Sequence, residues 1–218
     1  SIVIRNDSLY STRLSLSSGD YNYIINSWDF SFMVNGEQYN GYTGWKLISS
    51  EKITEPSGGN GVKLKLRENG DSIGLAIEVS YMLYPGIPLI RKWINFINTG
   101  TSDLKIESIL IEDLITNQRA RSNVIYHDYA RNKHLGRFIG NWYDPVVVVH
   151  DVPKRLGMAL GNEAMSVLKR TAYHTKSNNI EIGLTKREQA YPFRKWLEPG
   201  ESWESPKVFI CLYANRDD

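Results

Sequence analysis

Alternation of apolar and polar residues is the dominant pattern of the chain. It is clearest in "VKLKLRE" (Val62 to Glu68), and it continues through residues 72–86 ("SIGLAIEVSYMLYPG") and 88–98 ("PLIRKWINFIN"). A period of two residues is typical of a β-strand that has one face in water. The pattern therefore predicts consecutive strands that reverse direction at Pro85 and Gly86.

Polar turn sequences separate the remaining apolar segments. "NTGTSD" (98–103) precedes the strand-like "LKIESILIEDL" (104–114), and tight turns are predicted at "EPSGGNG" (55–61) and "EPGESWESP" (198–206). Only "EDLITNQRA" (Glu112 to Ala120) has a spacing that suits a short helix. Strands and turns in regular succession predict an all-β fold, an antiparallel β-sandwich of roughly a dozen or more strands.

Two runs are apolar on both faces, which indicates strands in the middle of a sheet. They are "VVVV" (Val146 to Val149) and "KVFICLY" (Lys207 to Tyr213), and Trp93 and Trp203 are expected to anchor the same core. The sequence contains no internal repeat and no shift in composition. We therefore expect residues 1–218 to form a single sandwich domain.

Composition and charge exclude several classes of function. The chain has 218 residues, 26 basic and 24 acidic, with a formal net charge of +2. This balance disfavours a nucleic-acid binder, and no apolar run is long enough for a membrane span. The single Cys211 cannot form an intrachain disulfide, and we interpret it as a buried thiol. Neither a nucleic acid nor a membrane is therefore an expected partner.

Metal, cofactor and nucleophile motifs are absent from the sequence. The four histidines are scattered without the spacing of metal ligands: His127, His134, His150 and His174. No G-x-S-x-G motif exposes a nucleophilic serine. We predict neither a metal site nor a cofactor.

Two pairs of residues are candidates for catalysis of sugar chemistry. Asp29 and Asp144 both neighbour aromatic residues, as the carboxylates of a glycosidase could. Asp29 can equally be a solvent-facing strand residue, and Asp144 a turn opener before Pro145. His174 and Glu181 could instead stand on facing strands, as in sandwich enzymes that act at the anomeric centre of a sugar.

The segment from Tyr126 to Pro145, "YHDYARNKHLGRFIGNWYDP", combines aromatic and cationic residues without a clear period. Aromatic rings stack on the apolar faces of sugars, and polar side chains bond the hydroxyl groups. We interpret the segment as a long loop that contacts a carbohydrate. Its candidate binding residues are His127, Arg137, Trp142, Tyr143 and Asp144. The alternatives are a loop that packs on its own aromatic residues and a platform for single-stranded nucleic acid, which the balanced charge disfavours.

Three segments together resemble a known family. They are "YPGIPLIRKWINFINTGTSDLKIESI" (84–109), "LGNEAMSVLKRT" (160–171) and "YPFRKWLEPGESWESPKVFICLY" (191–213). In this order they resemble the amino-terminal β-supersandwich domain of melibiase-type α-galactosidases, glycoside hydrolase family 36. The resemblance extends from about Tyr84 to Tyr213. The first third of the chain agrees in length and strand content only.

The resemblance implies a sandwich that precedes a (β/α)-barrel carrying the catalytic aspartates in K-x-D motifs. The chain has no matching K-x-D strand, and a barrel of about 250 residues does not fit beside a sandwich in this length. We therefore expect a non-catalytic domain that packs on its own barrel and shapes the rim of a galactoside site. The polar ending "CLYANRDD" is expected to lead into that barrel.

Two alternatives stay open at this point. One is a stand-alone carbohydrate-binding module, and the other is a mutarotase-like enzyme that uses His174 and Glu181. The substrate class favours a secreted or periplasmic location, and a homo-oligomer is left open.

Overall fold

The structure is a computed structural model. It describes residues 1–17, 19–70, 72–117, 123–127, 130–132, 137–140, 146–165 and 168–214. Within these ranges the chain forms strands and turns and contains no helix. The all-β prediction is therefore confirmed.

Two antiparallel sheets contain all strands of the described residues. The first has nine strands: β1 (Ile2–Arg5), β2 (Ser8–Ser11), β3 (Ile24–Val34), β4 (Glu37–Asn40), β9 (Leu104–Thr116), β12 (Arg137–Gly140), β15 (Lys169–His174), β16 (Asn179–Leu184) and β17 (Arg194–Leu197). The second has ten: β5 (Trp45–Thr54), β6 (Asn60–Glu68), β7 (Leu75–Tyr84), β8 (Ile87–Asn98), β10 (Asn123–His127), β11 (Ala130–Asn132), β13 (Val146–Asp151), β14 (Leu156–Asn162), β18 (Ser202–Glu204) and β19 (Val208–Ala214).

The order of strands brings distant segments together. The nine-stranded sheet runs β1-β2-β3-β9-β16-β15-β12, with β4 on β3 and β17 on β9. The ten-stranded sheet runs β11-β10-β13-β14-β19-β8-β7-β6-β5, with β18 on β8. As predicted, β7 and β8 form a hairpin at Pro85 and Gly86, and the two apolar runs form the interior strands β13 and β19.

The core lies between the two sheets and is rich in aromatic side chains. Phe30 and Phe32 of β3 meet Trp45 of β5 and Phe96 of β8, and the rings of Phe32 and Phe96 make an edge-to-face contact at 4.9 Å. Each fully buried side chain of this size contributes about 1.5–3 kcal/mol. Trp93 is also buried, but it lies on the opposite face of β8 from Phe96 and outside this core.

The turn after β8 has a specific internal support. Asn98 donates from Nδ2 to the carbonyl oxygens of Ser102 and Leu197, both at 2.9 Å, and accepts a bond from the backbone N–H of Gly100 at 3.0 Å. Beside it, a Cβ on Gly100 would lie only 3.2 Å from the carbonyl oxygen of Ile73 and 3.3 Å from the Cα of Gly74. The "N-T-G" motif is therefore explained by packing of the turn.

Three expectations about local structure are wrong. The proposed helix at Glu112 to Ala120 begins inside β9, where pairing with β3 and β16 on both sides overrides the helical spacing. Residues 118–120 lie outside the described residues. The stretch from Tyr126 to Pro145 is not a single loop, because it contains the end of β10 and the strands β11 and β12. β10 and β12 pair with the later strands β13 and β15, and β11 pairs with β10, so the segment as a whole has no single local period.

Asp29 is the third error, because it is fully buried instead of facing solvent. The register of β3 against β9 shifts on both sides of this residue, and its φ angle is +70°. Such a bulge redirects a side chain relative to the regular alternation. The carboxylate of Asp29 consequently lies between the sheets, 2.8 Å from the ammonium of Lys92.

Candidate functional site

A polar depression lies on the outer face of the nine-stranded sheet. It encloses about 400 Å³, and the residues that give it its chemical character are Trp28, Gln38, Asp113, His174, Asn179, Glu181 and Lys186. We call this set the sheet-face site. Trp28 is 41% exposed at its edge, whereas Asp113 and Glu181 are almost completely buried at its floor.

Strand register explains why these residues meet. Glu181 of β16 stands opposite Asp113 of β9, and Asn179 stands opposite His174 of β15. Residues that are directly opposite in an antiparallel pair lie on the same face, and so do residues two apart along one strand. The pairing of three strands thus brings Asp113 together with three polar side chains from a later part of the chain.

Glu181 is held by three cationic or ionisable groups. Its Oε1 lies 2.9 Å from Nζ of Lys186, and its Oε2 lies 3.2 Å from Nε of Arg170 and 3.3 Å from Nε2 of His174. Burial alone would raise the pKa of Glu181, but His174, Arg170 and Lys186 outweigh burial and hold the pKa well below its usual range. The carboxylate therefore stays ionised at neutral pH.

The environment of Asp113 shifts its pKa in the opposite direction. Burial raises its pKa above the ordinary value, although Nδ2 of Asn179 donates to its Oδ1 at 2.9 Å and stabilises the charged form. Two neighbouring carboxyl groups thus differ in their tendency to carry a proton. Both present oxygen atoms to the floor of the depression.

The arrangement is better suited to binding than to proton transfer. A general base works best with a pKa near the working pH, whereas Glu181 is ion-paired and has a depressed pKa. Its partners would have to separate before it could accept a proton. A ring at the edge, with carboxylates, an amide and an ammonium beside it, instead offers a stacking surface and hydrogen-bonding groups to a polar ligand.

The residues proposed from the sequence as sugar ligands are only partly placed. The backbone of Arg137, in β12, pairs with His174, a member of the sheet-face site. His127 is in β10 of the other sheet, where it pairs with Ala130. Trp142, Tyr143 and Asp144 lie outside the described residues. Their role as sugar ligands therefore stays a prediction.

Sequence reasoning named His174 and Glu181 as a pair, and the structure brings them together. It missed Trp28, Gln38, Asp113, Asn179 and Lys186, because their proximity depends on the order of strands in the sheet. The one local signal was an aromatic residue beside the acid in "SWDF". That signal drew attention to Asp29, whereas Trp28 is the residue at the surface.

The part of the chain that the structure describes has neither a cluster of metal ligands nor a membrane-spanning helix. No group of three or more His, Cys, Asp or Glu residues there is arranged to hold a metal ion. No helix there has the length and apolar character needed to cross a membrane.

Comparison of the fold with solved structures gives a consistent result. The chain superimposes on the family 36 α-galactosidase AgaA from Geobacillus stearothermophilus, a variant in complex with raffinose, with a TM-score of 0.63 and 14% identity over 95% of this chain and 32% of that one. The α-galactosidase from Lactobacillus brevis gives a TM-score of 0.65 and 13% identity over 98% of this chain and 34% of that one. The fold matches one third of a family 36 α-galactosidase. The resemblance in sequence is thereby confirmed at the level of the fold.

The same fold also occurs in another class of carbohydrate-active enzyme. A polysaccharide lyase matches with a TM-score of 0.51 and 14% identity over 97% of this chain and 31% of that one. No protein-family model matches the chain, and no curated protein matches it in sequence. The chain spans about one third of the length of each of these solved structures.

Proposed function

We propose that this chain is the non-catalytic β-sandwich domain of a longer glycoside hydrolase that acts on α-galactosides. The observation that supports this proposal is the share of each chain that the fold match covers. The fold match takes in 95–98% of this chain but only 32–34% of the two α-galactosidases. A longer protein would supply the catalytic barrel, on which the sandwich packs.

The sheet-face site is the proposed place of sugar contact. Trp28 stacks on the apolar face of a ring, while Gln38 and Lys186 bond hydroxyl groups beyond the sugar that is cleaved. Arg137 belongs to the same edge of the sheet through its pairing with His174. Trp142, Tyr143 and Asp144 follow β12 in the sequence, and we propose that they extend the same rim.

An assay of α-galactoside hydrolysis distinguishes this function from that of a stand-alone carbohydrate-binding module. The test compares the 218-residue chain with the full protein encoded by the reading frame that contains it, using an aryl α-galactoside and raffinose. We expect the chain to be inactive and the full protein, extended by a barrel-length segment of about 250 residues, to be active. A reading frame without such a segment would favour the binding module.

Anomer interconversion tests the mutarotase alternative. The chain is mixed with freshly dissolved α-galactose, and the optical rotation is followed. We expect no acceleration over buffer, because Glu181 is ion-paired. Acceleration that disappears in both His174→Ala and Glu181→Gln would establish the alternative.

The role of the segment after β12 is tested in the full protein. Trp142→Ala is expected to lower kcat/KM for raffinose more than for the short aryl galactoside, because only the longer substrate reaches the rim. If Trp142→Ala has the same kcat/KM as the parent for each of the two substrates, this segment is not part of the site.

A further inference from the structure

A second depression opens between the two sheets, and its lining differs chemically from that of the sheet-face site. It encloses about 550 Å³, a volume within the range of small-molecule sites. Eight aliphatic residues from both sheets and from the segment before β3 form most of its wall: Ile2, Leu14, Ile24, Val62, Leu83, Ile90, Leu114 and Ile210. Tyr81 is the only aromatic residue among its described lining.

Charged groups stand at the inner end of this depression. Lys92 of β8 contacts Asp29 of β3 at 2.8 Å and Glu112 of β9 at 3.1 Å, and so links the two sheets. The hydroxyl groups of Ser11 and Tyr81 donate to the two carboxylate oxygens of Asp29, at 2.5 and 2.6 Å. Both oxygens of Asp29 are therefore satisfied.

Glu112 differs from Asp29 in this respect. Among the described residues its carboxyl group has one hydrogen-bond donor, Nζ of Lys92, which contacts Oε2. No described residue donates to its Oε1, and the side chain, which is only 6% exposed, lines the depression. Because Glu112 lines the depression, a ligand there can supply a donor to this oxygen.

We propose that this depression binds a linear aliphatic primary amine, with the ammonium group donating to Oε1 of Glu112 and the alkyl chain against the aliphatic wall. An ammonium group has only donors, which is what the free carboxylate oxygen requires. This contact requires an ionised Glu112, whose pKa is raised to about 7, so the binding is measured at about pH 8. This proposal is independent of the proposed sugar function.

The electrostatics discriminate against other ligands of similar shape. A carboxylate at the inner end would face Asp29 and Glu112 in a poorly hydrated place, where like charges repel strongly. A sugar would face eight aliphatic side chains, and the hydroxyl groups of Ser11 and Tyr81 at the inner end already donate to Asp29. Arg13 and Lys52 also line the depression, but they are exposed, so water and salt screen their charge.

Calorimetric titration of the chain with hexylamine, 1-hexanol and hexanoate tests the proposal. We expect hexylamine to bind at least tenfold more tightly than 1-hexanol, and hexanoate not to bind up to about 10 mM. Glu112→Gln is expected to remove the preference for the amine while 1-hexanol still binds. The matched control is Glu51→Gln on the surface, which should leave all three affinities unchanged.

Other outcomes overturn the proposal. Equal binding of the amine and the alcohol to the parent chain would show an apolar cavity without an ammonium site. An amine preference that persists in Glu112→Gln would place the ligand elsewhere. If Glu112→Gln does not fold, Val62→Phe offers a second route, because it fills the wall from β6. Undiminished binding of hexylamine to Val62→Phe, or no binding to the parent chain, also contradicts the assignment.

Discussion

At the scale of single residues, Glu112 and Glu181 show how neighbours decide the behaviour of a buried acid. Burial raises the pKa of Glu112 to about 7, with Lys92 lowering it and Asp29 raising it further. Glu181 is surrounded by cationic groups, and its pKa is depressed. The two residues lie on adjacent strands, but Glu112 points between the sheets and Glu181 to the outer face.

Glu112 predicts a specific dependence of stability on pH. Because its pKa rises from 4.5 to about 7 on folding, the native state binds more protons than the unfolded state between these values. Its contribution to the free energy of unfolding therefore falls as the pH rises through this window, by about 3 kcal/mol in total, and is constant above it.

Urea denaturation at pH 4.5 to 8 measures this effect as the difference in unfolding free energy between the parent and Glu112→Gln. The difference should decline with increasing pH up to about 7 and then level off. A difference that is constant or increases with pH would contradict the buried environment of Glu112.

The ion pairs of Lys92 between the two sheets are expected to contribute to the free energy of unfolding. Lys92→Met leaves Asp29 and Glu112 buried without a countercharge, which should cost about 3–5 kcal/mol of unfolding free energy at pH 8. Adding Glu112→Gln to this variant should restore part of the loss, because one of the uncompensated charges is removed. If the double variant is no more stable than Lys92→Met, the two side chains are not coupled as the structure describes.

At the scale of elements, the turn after β8 depends on one side chain. Asn98→Ala would leave the carbonyl groups of Ser102 and Leu197 without their donor, at a cost of about 1–3 kcal/mol. Asn95→Ala is the control, because Asn95 makes one bond, to Glu78, from a less buried position. Chemical denaturation of the two variants should show a clearly larger loss for Asn98→Ala, and equal losses would contradict the role of this turn.

The same scale shows what the sequence could predict. Strands β6, β7 and β8 have neighbouring partners and one consistent inner face, so a period of two residues identified them. In contrast, β9 carries bulges against both β3 and β16, which disturb the alternation and suggested a helix at Glu112. The sheet-face site combines residues of non-consecutive strands. No local pattern could therefore have assembled Trp28, Asp113 and Glu181.

At the scale of the whole molecule, the two depressions have complementary character. The sheet-face site is polar and has an exposed ring at its edge, whereas the depression between the sheets has aliphatic walls and a charged inner end. The sandwich thus offers one surface that suits a sugar and one interior that does not. This contrast is why we assign the sugar contact to the outer face of the nine-stranded sheet.

The measurement that tests this assignment most directly is a titration of the chain with galactose and raffinose, followed by tryptophan fluorescence. We expect a saturable change up to about 50 mM, a range that covers millimolar dissociation constants. The change should disappear in Trp28→Ala and persist in Trp196→Ala, a matched control because Trp196 is 58% exposed on β17, outside the site. No change in the parent chain, or a change that persists in Trp28→Ala, would contradict sugar binding at the sheet-face site.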